Sequence, residues 1–270
     1  MRNPWRIGCV PYLNAKPLIA WFHSIDCDVE TEVIYAVPSE LACQLRAERL
    51  DVALVSTFEL FRTPGLTLIP HISIAADGPV KSVRLFSCVP FRNIKRVAMD
   101  TSSLTSVALA KILLRERYGI EPEYVPHAPN LDAMLAEYDA GLIIGDIKLF
   151  DTPARYILDL GAAWKEWTGL PFVYAAWLAR KNADSARLTD VLMRAKEWGT
   201  ARVEILSEEW AACLNLPLER VRDYFQNVMQ YDLDPRKWEA LLLFQRKCVE
   251  HGLVEAALPL RLVGEAGMVG

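Results

Sequence analysis

Residues 7–17 read Ile-Gly-Cys-Val-Pro-Tyr-Leu-Asn-Ala-Lys-Pro. The apolar run 7–10 predicts a strand that passes directly into a loop. Pro11 and Pro17 bracket Asn14; each proline fixes its own φ and biases the residue before it to extended backbone. The loop is therefore stiff, and the Asn14 amide is held in a narrow range of directions. In open α/β sheets, ligands bind outside the carboxyl ends of strands, which is where this loop falls. For such a segment alone the alternative is an ordinary strand-to-helix connection, so the rest of the chain has to decide.

Strand and helix signals alternate on either side of it. A strand is expected over 6–10, a helix over 16–23 and a strand over 33–35. A helix follows from 38, with Ser39 as its N-cap and Leu41, Ala42 and Leu45 as its apolar stripe. A buried strand over 51–55 ends at Ser56, and further strands cover 66–74 and 83–88. Near Pro90 the pattern restarts: strands at 96–99, 123–126, 141–145 and 171–179, and helices at 107–118 and 130–138. Beyond residue 180 only helices are expected, over 185–205, 207–214, 218–229 and 235–250. The pattern predicts an α/β protein of two lobes, 1–90 together with 176–270 and 91–175. The chain would cross between them near 89–92 and 175–180. A ligand cleft lies between the lobes, and the helical C-terminal region packs on the first. This is the architecture of the periplasmic-binding-protein-like type 2 fold.

With 270 residues, 52% hydrophobic and 24% charged, the chain can bury a sizeable core, and its net charge of −4 argues against a nucleic-acid partner. The start of the chain has no signal-peptide pattern and the apolar runs are strand-sized, so a cytoplasmic protein that does not enter the membrane is expected. Cysteines occur at 9, 27, 43, 88, 213 and 248, without CxxC spacing and without clustered histidines, which excludes a zinc pattern. Most sit among apolar neighbours and are expected to be reduced core residues. Cys9, in the first strand, reads as packing rather than as a nucleophile.

Four further segments end strands at what would be the cleft. Ser56-Thr57 follows the run Asp51–Val55, and a capping role competes there with a binding one. Ala76-Asp77-Gly78-Pro79-Val80-Lys81-Ser82 is a turn that offers one cation, Lys81, and one hydroxyl, Ser82. A hairpin turn with a solvated lysine is its plainer reading. Asp100-Thr101-Ser102-Ser103-Leu104-Thr105-Ser106 places hydroxyls where a strand hands over to a helix. The free first-turn amides and helix dipole favour an anion there, and one cap needs only one hydroxyl. It lacks the glycines and the Gly-Lys-Ser/Thr ending of a P-loop. Gly145-Asp146 closes the set. A cleft of this kind suits a small carboxylated organic molecule.

Together the stretches RIGCVPYLNAKPL, VPSELACQLRAERLDVALVSTFEL, ISIAADGPVKSVRLFS, DTSSLTSVALAKILL, GLIIGD and DLGAAWKEWTGLPFVYAAW resemble the chorismate dehydratases of the futalosine route to menaquinone. The resemblance implies a cofactor-independent carbon–oxygen lyase (a hydro-lyase) that converts the dicarboxylate chorismate to 3-[(1-carboxyvinyl)oxy]benzoate and water. It implies that Asn14 and Ser82 contact the reacting substrate. Tyr12, Ser56, Thr57, Lys81, Thr101, Ser102, Ser103, Thr105, Ser106, Gly145 and Asp146 complete the expected binding set, with no metal. The family often carries a basic residue where this chain has Leu104. The rival readings are a non-catalytic solute-binding protein, the sister enzyme 1,4-dihydroxy-6-naphthoate synthase, and an aromatic-ligand sensor.

Overall fold

The computed structural model describes residues 4–146, 154–181 and 183–262. The first part of the chain forms β1 (Trp5–Cys9), α1 (Lys16–Ile19), β2 (Thr31–Tyr35), α2 (Pro38–Arg46), β3 (Val52–Ser56), α3 (Thr57–Arg62) and β4 (Thr67–Ala76). The middle forms β5 (Val83–Ser87), β6 (Arg96–Asp100), α4 (Thr105–Tyr118), β7 (Glu123–His127), α5 (Leu131–Glu137), β8 (Ala140–Ile144), β9 (Tyr156–Asp159), α6 (Leu160–Thr168) and β10 (Phe172–Ala179). Then come α7 (Ser185–Thr200), α8 (Val203–Leu214), α9 (Leu218–Asp223), a π-helical turn (Tyr224–Val228) and α10 (Pro235–Glu250).

The strands make two five-stranded sheets, in the orders β2-β1-β3-β10-β4 and β7-β6-β8-β5-β9. Each sheet has parallel strands on one side and receives, at its fourth position, an antiparallel strand that has just arrived from the other sheet: β10 in the first and β5 in the second. The interior strands β3, β5 and β8 are buried throughout. This is expected of strands covered on both faces. One apolar core runs through both sheets, with Trp164, Trp177 and Phe244 among its fully buried side chains. The C-terminal helices lie on the first sheet: α7 packs on β4, α10 on β10, and Gln230 bridges to Ala75 at the sheet edge.

The α/β class stands as expected, β9 and α6 fall where no element is expected, and three expectations are corrected. Strand pairing moves the crossings upstream, to 77–82 and 169–171, because β5 pairs with β8 and β9 rather than with β4. Ser39 is not the cap of α2. Pro38 has a fixed helical φ and no N–H, so the helix begins there, with Val37 as N-cap and no side-chain cap. Of the cysteines only Cys9 and Cys248 are buried; Cys27 is half-buried, and Cys43, Cys88 and Cys213 are exposed.

Candidate active site

The cleft between the sheets is lined by the carboxyl ends of β1, β3 and β8, the N-terminus of α4, the loop entering β5, and the bulged part of β10. Its cavity volume is about 60 Å³. The wall is mostly apolar (Val10, Leu54, Ile74, Val80, Val83, Ile144), and a few polar groups are aimed into it.

Asn14 sits on a single 3-10 turn, Leu13–Ala15, set up by the two prolines. Its Oδ1 is buried and has no hydrogen-bond partner among the described residues. A buried amide oxygen left unsatisfied costs about 1–3 kcal/mol, so its persistence here points to a ligand that satisfies it. Tyr174 also lines the cavity, and its hydroxyl is likewise buried and unpartnered among the described residues. Burial pushes that phenol well above its ordinary pKa, so it is a neutral O–H. Ser82, also buried and lining the cleft, accepts a hydrogen bond from the Tyr224 hydroxyl at 2.8 Å.

The opening loop is fastened across the cleft to the second sheet. Asp146, just past β8, accepts from the Leu13 N–H at 2.9 Å. The Tyr12 ring lies on Gly145, whose φ is +73°, and a Cβ there would stand 2.9 Å from Tyr12 Cδ1. Gly145 is therefore required both by its backbone and by the approach of the ring. Burial pushes the Asp146 carboxyl up to about 6, against the opposing pull of the Leu13 amide and the Lys16 ammonium. Lys16 is itself buried, with its Nζ 3.8 Å from the centre of the Trp210 ring.

Of the residues expected at the site, Tyr12, Asn14, Ser56, Ser82, Ser103, Thr105, Ser106 and Gly145 line the cavity, as does Leu104. The others fall beside it. The Thr57 hydroxyl is spent on the Val173 carbonyl at 2.9 Å. The Lys81 ammonium pairs with Asp223 at 2.6 Å. Ser102 donates twice to Asp100 Oδ1, from N at 2.9 Å and from Oγ at 2.5 Å. Thr101 is exposed and borders a different hollow beside Lys111 and Tyr124. Asp146 acts through Leu13, as described. At the start of α4, Ser103 Oγ accepts from the Ser106 N–H at 3.2 Å, so one first-turn amide is already capped. Thr105 Oγ1 donates to the Tyr174 carbonyl at 2.9 Å. Cys9 is fully buried and its thiol is pushed up to about 12 by burial, which suits packing and not nucleophilic attack.

Sequence reasoning missed Tyr174 and Tyr224. Tyr174 belongs to an apolar stretch and Tyr224 to a mixed helical one, and nothing local distinguishes either from an ordinary core tyrosine. Among the described residues, those lining the cavity include no carboxylate, imidazole or amine. His71 lies away from the cleft with its carbonyl accepting from Lys196, His127 bonds the Ala128 carbonyl, and Asp77 pairs with Lys165. No cluster of potential metal ligands occurs among the described residues. No helix among them is long and apolar enough to cross a membrane.

Comparison with known proteins shows the family and the fold. The model of a family described as menaquinone biosynthesis matches residues 5–250. A chorismate dehydratase of Thermus thermophilus is 33% identical over 86% of this chain and 90% of its own length. A chorismate dehydratase of Campylobacter jejuni is 28% identical over 89% of this chain and 96% of its own length. A Candida albicans protein with the generic periplasmic binding protein fold superposes with a TM-score of 0.65 at 11% identity, covering 95% of this chain and 92% of that one. The chain belongs to the menaquinone-biosynthesis family and has the periplasmic-binding-protein-like fold.

Proposed function

We propose that this family member is a chorismate dehydratase, converting chorismate to 3-[(1-carboxyvinyl)oxy]benzoate and water within menaquinone biosynthesis. The observation that carries the reading onto this chain is the buried Oδ1 of Asn14, unpartnered among the described residues, on a residue that lines a cavity otherwise walled by apolar groups and hydroxyls. The curated relatives named above supply the reaction.

The chemistry asks little of the protein beyond placement. The ring carbon that carries the enolpyruvyl ether loses its hydrogen as a proton. The electron pair of that C–H bond becomes the new ring double bond, and the neighbouring C–O bond breaks. Aromatisation makes the step downhill. The protein must hold one conformer, seat two carboxylates and assist departure of the hydroxyl oxygen. Ser106, Ser103 and the first-turn amides of α4 offer a seat for a carboxylate without a cation. Asn14 and Ser82 face the reacting ring. The absence of a side-chain base among the described lining residues favours the substrate's own enolpyruvyl carboxylate as the base. The proton it takes up is returned to the departing hydroxide, which leaves as water. No cofactor enters this scheme.

The reading is tested by incubating the purified protein with chorismate and following the loss of diene absorbance and the appearance of the enolpyruvyl-benzoate. Binding without conversion supports a solute-binding protein instead.

A further inference from the structure

The segment after α9 reaches back into the site. Tyr224 opens the π-helical turn with its side chain fully buried, and its hydroxyl lies 2.8 Å from Ser82 Oγ. The residue before it, Asp223, holds the Lys81 ammonium at 2.6 Å. Two consecutive residues of one helical turn thus grip two consecutive residues of the loop that enters β5. Asp159 pins the same loop by accepting from the backbone N–H of Val80 at 3.0 Å and of Lys81 at 2.8 Å. Lys81 has a φ of +64°, a left-handed conformation unfavourable for a residue with a Cβ, and this grip from both flanks holds it there.

The direction of each proton follows from these distances. Burial drives the Tyr224 phenol far above its ordinary pKa, so it stays protonated and donates. Ser82 Oγ then accepts from Tyr224, and among the described residues its own proton has two outlets. One is the Val80 carbonyl at 3.4 Å, beyond the usual O–H···O range. That carbonyl already accepts the Ser82 backbone N–H at 2.7 Å. The other outlet is the cleft, which Ser82 lines and Tyr224 does not.

We propose that Tyr224 is a positioning residue for the dehydration: by occupying a lone pair of Ser82 Oγ from the wall side, it turns the Ser82 proton into the cleft, toward the oxygen that leaves the ring. The inference rests on the dehydratase reading and extends the site to the helical C-terminal region. A hydroxyl that already accepts a hydrogen bond is a better donor, so Tyr224 also strengthens the bond Ser82 gives.

Tyr224→Phe keeps the ring and removes only the donor. We expect kcat for chorismate to fall about 10- to 100-fold, with KM changing far less and the melting curve still cooperative. Adding Ser82→Ala decides the route: the double variant turns over at the rate of Ser82→Ala alone, because no serine remains to be oriented. Wild-type turnover in Tyr224→Phe, a loss confined to KM, or single losses that multiply in the double variant overturn the proposal. Should Tyr224→Phe fail to fold, a fluorotyrosine at 224 keeps ring and hydroxyl but makes the phenol more acidic. A kcat that moves with that acidity supports the relay, and an indifferent kcat overturns it. Failure of the dehydratase reading is seen separately, as wild-type protein that forms no product from chorismate. The relay is then read from calorimetric chorismate affinity: a loss on Tyr224→Phe only while Ser82 is present supports it, and an equal loss in both backgrounds overturns it.

Discussion

Ser56 Oγ at the end of β3 and Thr105 Oγ1 at the start of α4 share a hydrogen bond at the floor of the cleft, joining the two sheets. Thr105 gives its proton to the Tyr174 carbonyl, so Ser56 is the donor of this pair and has only lone pairs left for a ligand. The Tyr174 carbonyl is available because the β10–β4 ladder breaks register between Val173 and Ala175. A bulge, a threonine and a serine together fix how the lobes meet.

Thr105→Val keeps the shape and removes both bonds. The Tyr174 carbonyl then loses its buried donor, which costs about 1–3 kcal/mol. Denaturant unfolding should show that loss in the midpoint with an unchanged slope. Stability equal to wild type would mean that the Thr105 bridge is not formed in solution.

Tyr174→Phe should act in the opposite direction on the ligand-free protein. It removes a fully buried hydroxyl with no partner among the described residues, so the variant gains about 1 kcal/mol or more, read as a higher melting temperature. A lower melting temperature contradicts the assignment of that hydroxyl as unpartnered.

Asp146 makes stability depend on pH. Its folded value of about 6 lies above the ordinary carboxyl value, so the native state binds this proton more tightly than the unfolded chain. Stability is therefore lost as pH rises from about 4 through about 6, by an amount on the order of 3 kcal/mol at neutral pH. Asp146→Asn keeps an acceptor for the Leu13 N–H and removes the charge. Its melting temperature should exceed that of wild type at neutral pH, and the difference should vanish near pH 4. If this variant instead binds chorismate but no longer turns it over, Asp146 is the base and the substrate carboxylate is not.

Leu104 lines the cavity at the head of α4, where the residues described offer hydroxyls and amides but no cation. Leu104→Lys should lower the KM for chorismate about threefold to tenfold at low ionic strength, and added salt should erode the gain. A KM that is unchanged at low salt would place the substrate carboxylates elsewhere.

Much of the fold was legible because its signals are local. Runs such as Val52–Ser56 and Ala140–Ile144 announce buried strands. The crossing points were not legible. The chain continues from β4 into β5 with only a short turn between them, yet β5 pairs with β8 and β9, and only tertiary packing makes that choice. The four-residue strand β9 is too short to carry a periodic signal. At the site, Asn14, Ser82 and the start of α4 stood out because polar residues ended apolar strands. Whether a given hydroxyl would face the cleft did not stand out. Thr57, Ser102 and Thr105 carry the same signal, but their protons go to Val173, Asp100 and Tyr174. Tyr224 lay beyond reach because its partner, Ser82, is brought to it only by the return of the C-terminal helices.

On the function proposed above, Asn14 contacts the reacting chorismate. The measurement that bears on it most directly is the turnover of chorismate by wild type and Asn14→Ala side by side, with a melting curve for each. We expect wild type to release the enolpyruvyl-benzoate and Asn14→Ala to lose about 10²- to 10³-fold in kcat/KM. Its melting temperature should be no lower, since the oxygen removed has no partner among the described residues. Wild-type kcat/KM in Asn14→Ala, with the protein folded, would contradict the account.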